Sequence, residues 1–195
     1  MDEIGSDVAW KSEKALMGLT SPDFRNSSEV FVRLASLEDS SQISAIYNNE
    51  VLNTTSTFDL RPRTKNSQDK WIQNHQGVYP ANVVIVNLGE NNGIVAGFGA
   101  LSPFRDRPGY STTCENSIYV DSRFRGKQIG SLLLVDLIER AKLHGFHSMI
   151  ARISGNNEAS IKLHKKHGFE LVGTEKEVGR KFGKWLDVTI YQLIV

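Results

Sequence analysis

The sequence predicts an α+β fold in which a mixed central sheet carries helices on both faces. Hydrophobic residues make up 39% of the 195 residues, which is enough to form one sizeable core, whereas a chain of this length is short for two full domains. Strand-like segments and segments with helical periodicity follow each other in irregular order, and we find no internal repeat. This pattern favours a single layered α+β domain.

The first half of the domain alternates strands and helices. Val30 to Leu34 forms the first predicted strand, and apolar residues between Ile43 and Tyr47 recur at the i, i+3, i+4 spacing of a helix. Ser36 and Asp39 resemble a capping box ahead of that helix. The next predicted elements are a loop over Asn53 to Arg63, a helix around Trp71, and a hairpin in which the turn Glu90 to Gly93 joins strands Asn82 to Leu88 and Ile94 to Leu101.

In the second half of the domain, two predicted helices end at glycines. A strand over Cys114 to Val120 precedes a helix whose apolar face runs from Leu133 to Ala141, with Gly145 as its stop. The remaining predicted elements are a strand over Ser148 to Ile153, a helix over Asn157 to His167 that Gly168 ends, and strands over Leu171 to Thr174 and Leu186 to Ile194.

Residues 1–29 are polar and contain few apolar side chains, so we expect a flexible N-terminal extension ahead of a domain spanning 30–195. Lys and Arg number 23 against 22 Asp and Glu, so no global field attracts nucleic acid or an anionic membrane. The single cysteine, Cys114, excludes an internal disulfide, and the histidines lack the spacing of a metal site. Without an apolar run of about 18 residues, the sequence predicts a soluble, cytoplasmic protein.

The segment from Ile118 to Ser131 runs from a buried strand through a loop into a helix. Such a junction directs several backbone N–H groups toward one point, with the positive end of the helix dipole behind them. Gly126 and Gly130 allow close approach to the backbone. These features together can hold a pyrophosphate, although a bare glycine pattern is also common in ordinary turns.

This segment resembles the acetyl-CoA-binding motif of the GNAT superfamily of N-acetyltransferases: Arg or Gln, two residues, Gly, one residue, then Gly or Ala. Arg125 and Gly130 match, and Gln128 replaces the first glycine. The resemblance implies the GNAT fold, with a mixed, mostly antiparallel central sheet, and acetyl-CoA as co-substrate, with no metal. It also implies that the pantetheine arm pairs with the backbone of one strand and the diphosphate binds the following loop. The residues concerned are Ile118, Tyr119, Val120, Arg125, Gly126, Lys127, Gln128, Ile129, Gly130 and Ser131.

A second motif strengthens the resemblance. Asn157, Ser160 and His164 lie at i, i+3 and i+7, which places them on one helical face. In the family an Asn at the first position faces the cofactor and the third position carries a proton donor, and a histidine there is typical of the phosphinothricin N-acetyltransferase branch. Asn157 and Ser160 are therefore expected to bind the cofactor. Similarity to this branch extends over roughly Phe31 to Val195 in four separated blocks.

Acetyl transfer to an amine requires a base for the ammonium and an acid for the leaving thiolate. Glu115 shares a strand face with Ser117 and Tyr119 by the period of two, and the resemblance makes it the base. His164 is then the acid, while a structural role remains the alternative for each. Direct transfer makes a covalent Cys114 intermediate unnecessary.

The resemblance implies a small-molecule amine acceptor with an acidic group, such as phosphinothricin, methionine sulfoximine or methionine sulfone. Arg105 and Arg107 are candidates to bind the acidic group, and Phe58 and Trp185 to form the pocket wall. Two alternatives remain open, a protein or peptide N-acetyltransferase and a non-catalytic acyl-CoA sensor. The family resemblance also makes a homodimer an expectation.

Overall fold

A computed structural model describes residues 30–87 and 93–195. The predicted extension over 1–29 lies outside the described residues, as does most of the turn predicted over Glu90 to Gly93. No helix of the described chain is both long and apolar enough to cross a membrane.

Residues 30–87 and 93–195 form seven strands and four α-helices. In chain order they are β1 (Val30–Leu34), α1 (Ser40–Asn53), α2 (Lys65–Asn74), β2 (Ala81–Val86), β3 (Ile94–Pro103), β4 (Thr113–Val120), α3 (Ile129–Leu143), β5 (Ser148–Ser154), α4 (Glu158–Lys166), β6 (Glu170–Lys181) and β7 (Lys184–Ile194).

All seven strands form one sheet in the order β1-β2-β3-β4-β5-β7-β6. Every neighbouring pair is antiparallel except β4 and β5, which run parallel. The parallel ladder is short, running from Thr113 opposite Ser148 to Asn116 opposite Ala151. The predicted mixed, mostly antiparallel sheet is therefore confirmed.

Helices cover both faces of the sheet, as predicted. On one face, α1 and α2 bury Ile43, Tyr47 and Ile72 against Phe98 of β3. On the other, α3 buries its predicted apolar stripe against Met149 and other strand residues, with α4 alongside it. Each strand residue consequently faces either the α1/α2 side or the α3/α4 side.

Local signals predicted most element ends closely. The capping box forms, with the Ser36 backbone N–H donating to Asp39 Oδ2 at 2.8 Å, although it caps a short 3-10 turn just before α1. Gly145 and Gly168 adopt φ of 76° and 85° directly after α3 and α4. Such left-handed residues after a helix are the reason glycine is favoured there.

The prediction for β6 was wrong in length. This strand does not end at Thr174 but continues to Lys181, where it pairs with Lys184 of β7. Its pairing passes through two register shifts, and most of its side chains are exposed at the sheet edge. An edge strand with polar residues on both sides lacks the alternation by which strands are recognised.

Candidate active site

The divergence of β4 from β5 opens a cleft of about 710 Å³. Their ladder ends at Asn116 and Ala151, yet β4 continues to Val120 and β5 to Ser154. Beyond Asn116, no strand of the described chain pairs with β4 on the β5 side. This backbone edge can therefore accept an extended ligand as an added strand, which fits the expected pantetheine arm.

Most of the residues predicted for the site line this one cleft. They are Phe58, Glu115, Ile118, Tyr119, Val120, Arg125, Gly126, Gln128, Ile129, Gly130, Ser131, Asn157, Ser160 and His164. Four predicted residues do not line it: Arg105, Arg107, Lys127 and Trp185.

The loop between β4 and α3 has the backbone shape of an anion-binding turn. Gly126 adopts φ of 75°, and nothing lies within 4 Å of the position that a Cβ would occupy there. Gln128 is also left-handed, with φ of 62° and ψ of 8°, and directly precedes the first turn of α3. The Ser131 N–H donates to Gln128 O at 2.9 Å, so Ser131 does not contribute the free amide that we expected. The helix N-terminus and the open space above Gly126 fit a diphosphate.

The side chain of Arg125 points toward α1 and away from the anion site. Its Nη2 donates to Glu50 Oε1 at 2.6 Å, and Glu50 is buried at the end of the cleft. The other Glu50 oxygen accepts a hydrogen bond from Thr54 Oγ1 at 2.9 Å. Arg125 therefore fixes the loop to α1, while its backbone N–H donates to the Ser122 carbonyl oxygen at 3.5 Å.

His164 is buried on the α3/α4 side of the sheet, with both ring nitrogens facing oxygen atoms. Nε2 lies 3.0 Å from Asn116 Oδ1, and Nδ1 lies 2.8 Å from the carbonyl oxygen of Ser160. Because the Asn116 amide nitrogen donates to Ile150 O, its oxygen faces the imidazole, and Nε2 must carry a proton. These contacts favour the charged ring, whereas burial lowers the pKa of His164.

Asn157 and Ser160 support the same helix. The Asn157 side chain accepts a hydrogen bond from the Ser160 N–H at 3.1 Å and so caps the N-terminus of α4. The Ser160 hydroxyl lies 3.4 Å from His164 Nδ1.

Glu115 lies on the opposite face of the sheet from His164. It is two and four residues before Ser117 and Tyr119, and the Tyr119 ring packs against Tyr47 of α1 at 5.2 Å. The α1/α2 side is thus the Glu115 side. Burial raises the pKa of Glu115, opposed by the positive charge of Arg152 and reinforced by the negative charge of Glu175. A carboxyl with a raised pKa in a cleft is suited to accept a proton.

Cys114 does not line the cleft. Its side chain is fully buried, its sulfur lies 3.7 Å from Ser148 O, and burial raises the pKa of the thiol to about 12. The thiolate needed for nucleophilic attack is therefore scarce at neutral pH.

The candidate acceptor residues separate in the structure. Phe58 packs directly over Gly179 of β6 and forms part of the cleft wall. Arg105 lies over the rings of Phe104 and Tyr110, at 4.8 and 5.4 Å. Trp185 is 60% exposed near the end of the β6–β7 hairpin. Only Phe58 of the four candidates therefore contacts the cleft, because the loop after β3 turns its arginines elsewhere.

The cleft lining also includes polar residues that were not predicted as site residues, among them Glu50, Asn116 and Arg152. Arg152 carried a local signal, since it is a charged residue within a strand of otherwise mostly apolar character, whereas Asn116 lies among the polar residues of β4. Glu50 gave no such signal, because its partner Arg125 is 75 residues away. Within residues 30–87 and 93–195, no group of three His, Cys, Asp or Glu side chains could hold a metal ion.

Comparison with known proteins places this geometry in a family. The family described as acetyltransferase (GNAT) domain matches residues 32–190. An L-methionine sulfoximine/L-methionine sulfone acetyltransferase of Pseudomonas aeruginosa is 41% identical over 83% of this chain and 92% of its own length. A phosphinothricin N-acetyltransferase of Streptomyces coelicolor is 37% identical over 84% and 95%. The crystal structure of a phosphinothricin acetyltransferase from Sinorhizobium meliloti in complex with acetyl-CoA superposes with a TM-score of 0.79 at 36% identity, covering 85% of this chain and 88% of that one.

Proposed function

Because the chain belongs to the acetyltransferase (GNAT) domain family and is an N-acetyltransferase, we propose that it acetylates the primary amine of a small amino acid with acetyl-CoA. Phosphinothricin, methionine sulfoximine and methionine sulfone are the acceptors named for its relatives, and they form the proposed acceptor class. The observation that carries the proposal is the cleft between β4 and β5, which opens to both faces of the sheet.

Acetyl-CoA would occupy the α3/α4 side of that cleft. The β4 backbone from Ser117 to Val120 supplies a free edge for the pantetheine arm, and the left-handed loop at Gly126 and Gln128 receives the diphosphate. These features fit the co-substrate without a strongly basic surface, which agrees with a formal net charge of +1.

The chemistry needs a base for the ammonium and an acid for the leaving sulfur, and two side chains of the cleft are suited to these roles. Glu115 accepts a proton from the acceptor ammonium, directly or through water, so that the neutral nitrogen can attack the thioester carbonyl. The new N–C bond forms as the C–S bond breaks, and His164 gives its Nε2 proton to the leaving sulfur. The attacking nitrogen loses its second proton to solvent as the amide forms, and His164 regains a proton from solvent. The position of the two groups on opposite faces supports this division, because acceptor and acetyl donor approach from opposite sides.

A thiol-release assay tests the proposal directly. Purified protein is mixed with acetyl-CoA and a panel of amines that includes methionine sulfone, phosphinothricin, a polyamine and a peptide with a free N-terminus. Thiol release with the first two and not with the peptide is expected. Preference for the peptide would instead support a protein N-acetyltransferase, and acetyl-CoA binding with no thiol release would support a sensor.

The same assay tests the predicted arginines of the loop after β3. Replacing Arg105 or Arg107 with Ala raises the KM for acidic acceptors if the loop reaches the acceptor during turnover. An unchanged KM for every acidic acceptor would remove both residues from the acceptor site.

A further inference from the structure

Arg152 is a charged residue in a strand that is otherwise buried. Every other residue of β5 is buried, whereas Arg152 is exposed and lines the cleft. A charged side chain in the middle of such a strand contributes less apolar burial than an aliphatic one would. Its position therefore points to a role in binding a ligand.

The sheet register places Arg152 beside Glu115. Glu115 pairs with Ile150, so Arg152 lies two residues further along β5 on the same face and diagonal to Glu115. Ser154 follows on that face, where its hydroxyl contacts the carbonyl oxygen of Thr55. Arg152 therefore lies between the proposed base and the loop that carries Phe58.

A carboxylate of β6 holds the guanidinium in place. Arg152 Nη2 donates to Glu175 Oε2 at 2.7 Å, and the Arg152 side chain remains 33% exposed. This is the one hydrogen bond of the Arg152 side chain within the described residues, so Nε and Nη1 remain available to a ligand. An arginine fixed at one end with donors free at the other is suited to bind a second carboxylate.

The charges at this end of the cleft match those of an amino acid zwitterion. An α-amino acid carries its ammonium and carboxylate on one carbon, and Glu115 and Arg152 present the opposite charges on adjacent strands. We propose that Arg152 binds the α-carboxylate of the acceptor and thereby selects free amino acids over amines that lack this group. This inference rests on the proposed function and names the residue responsible for its acceptor class.

The test compares methionine sulfone with its carboxamide, which has the same amine and side chain but no carboxylate. Wild-type protein is expected to prefer the acid by about tenfold or more in kcat/KM, the size expected for a hydrogen bond to a charged group. In Arg152→Met the preference falls to near unity through loss of activity on the acid, and Arg152→Lys retains part of it. The KM for acetyl-CoA stays unchanged in both variants.

Lys176→Met is the matched control, because Lys176 also forms an ion pair on this sheet, to Asp187 at 2.8 Å, but does not line the cleft. Its acid preference should equal that of the wild type. Calorimetric titration of methionine sulfone into protein saturated with CoA gives a second readout, in which Arg152→Met weakens binding. Thermal melting of each variant excludes loss of fold.

The outcomes separate the two proposals. If the wild type acetylates none of the amines, the proposed function fails. If the wild type acetylates methionine sulfone and folded Arg152→Met keeps its acid preference and affinity, the function stands and the role of Arg152 is overturned.

Discussion

Glycine at position 128 should give a more stable protein than alanine at the same position. Gln128 holds φ of 62°, in the left-handed region that side chains with a Cβ avoid, at the position where the GNAT motif carries a glycine. Glycine and glutamine carry the same backbone N–H group at this position. The substitution thus changes the strain of the loop and not its donors.

The size of the effect follows from two opposing contributions. A left-handed residue with a Cβ costs about 1–2 kcal/mol, whereas glycine loses about 0.5–1 kcal/mol more backbone entropy on folding than alanine. The difference in unfolding free energy between Gln128→Gly and Gln128→Ala should be about 1 kcal/mol. In a protein of this size that corresponds to about 2–4 °C in Tm.

Thermal melting of wild type, Gln128→Ala and Gln128→Gly measures this difference. The alanine variant is the control, because it loses the same side-chain interactions but keeps the Cβ. Calorimetry with acetyl-CoA should give a Kd within a few-fold of wild type for Gln128→Gly. A glycine variant that melts below the alanine variant would refute the assignment of strain to this residue.

Three further predictions concern the base, the thiol and the N-terminus. Glu115→Gln should lower kcat by about 10²–10⁴-fold. It should also abolish the loss of kcat/KM at acidic pH, because the raised pKa of Glu115 sets the pH at which activity is lost. Arg152→Met should shift this loss of activity to higher pH, because the charge of Arg152 lowers the pKa of Glu115. Cys114→Ala should keep the wild-type kcat in the thiol-release assay but melt at a lower temperature, since it leaves a cavity in the core. Removal of residues 1–29 should leave kcat/KM unchanged, which steady-state kinetics of the shortened protein can check.

Local sequence signals predicted the helices and their ends better than the length of the edge strand β6. The apolar stripe of α3 and the glycines after α3 and α4 depend on neighbours within a few residues, and all appear where they were predicted. The full length of β6 depends instead on its partner β7 through two register shifts. Such pairing energy comes from residues distant in sequence, so a pattern within the strand cannot reveal it.

The same distinction holds for the candidate site, where residues contiguous in sequence were predicted better than residues brought together across strands. The loop from Arg125 to Ser131 is contiguous in sequence, and its residues other than Lys127 line the cleft. The acceptor arginines were assigned by their proximity in sequence to the strand of Glu115, and that criterion favoured Arg105 and Arg107 over Arg152. Which residues are neighbours across a sheet depends on strand order and register. Neither could be predicted from the sequence for the parallel pair β4 and β5.

The alternation of β4 explains how one strand can serve both reactants. Glu115 faces the α1/α2 side, and Asn116, the next residue, faces the α3/α4 side and contacts His164. The proposed base and the partner of the proposed acid are thus adjacent in sequence but on opposite faces. The backbone between the faces is open only because β5 diverges after Ala151. A shift of one residue in the register of β4 would exchange the two faces, so the pairing with β3 and β5 that fixes this register also fixes which reactant meets which group.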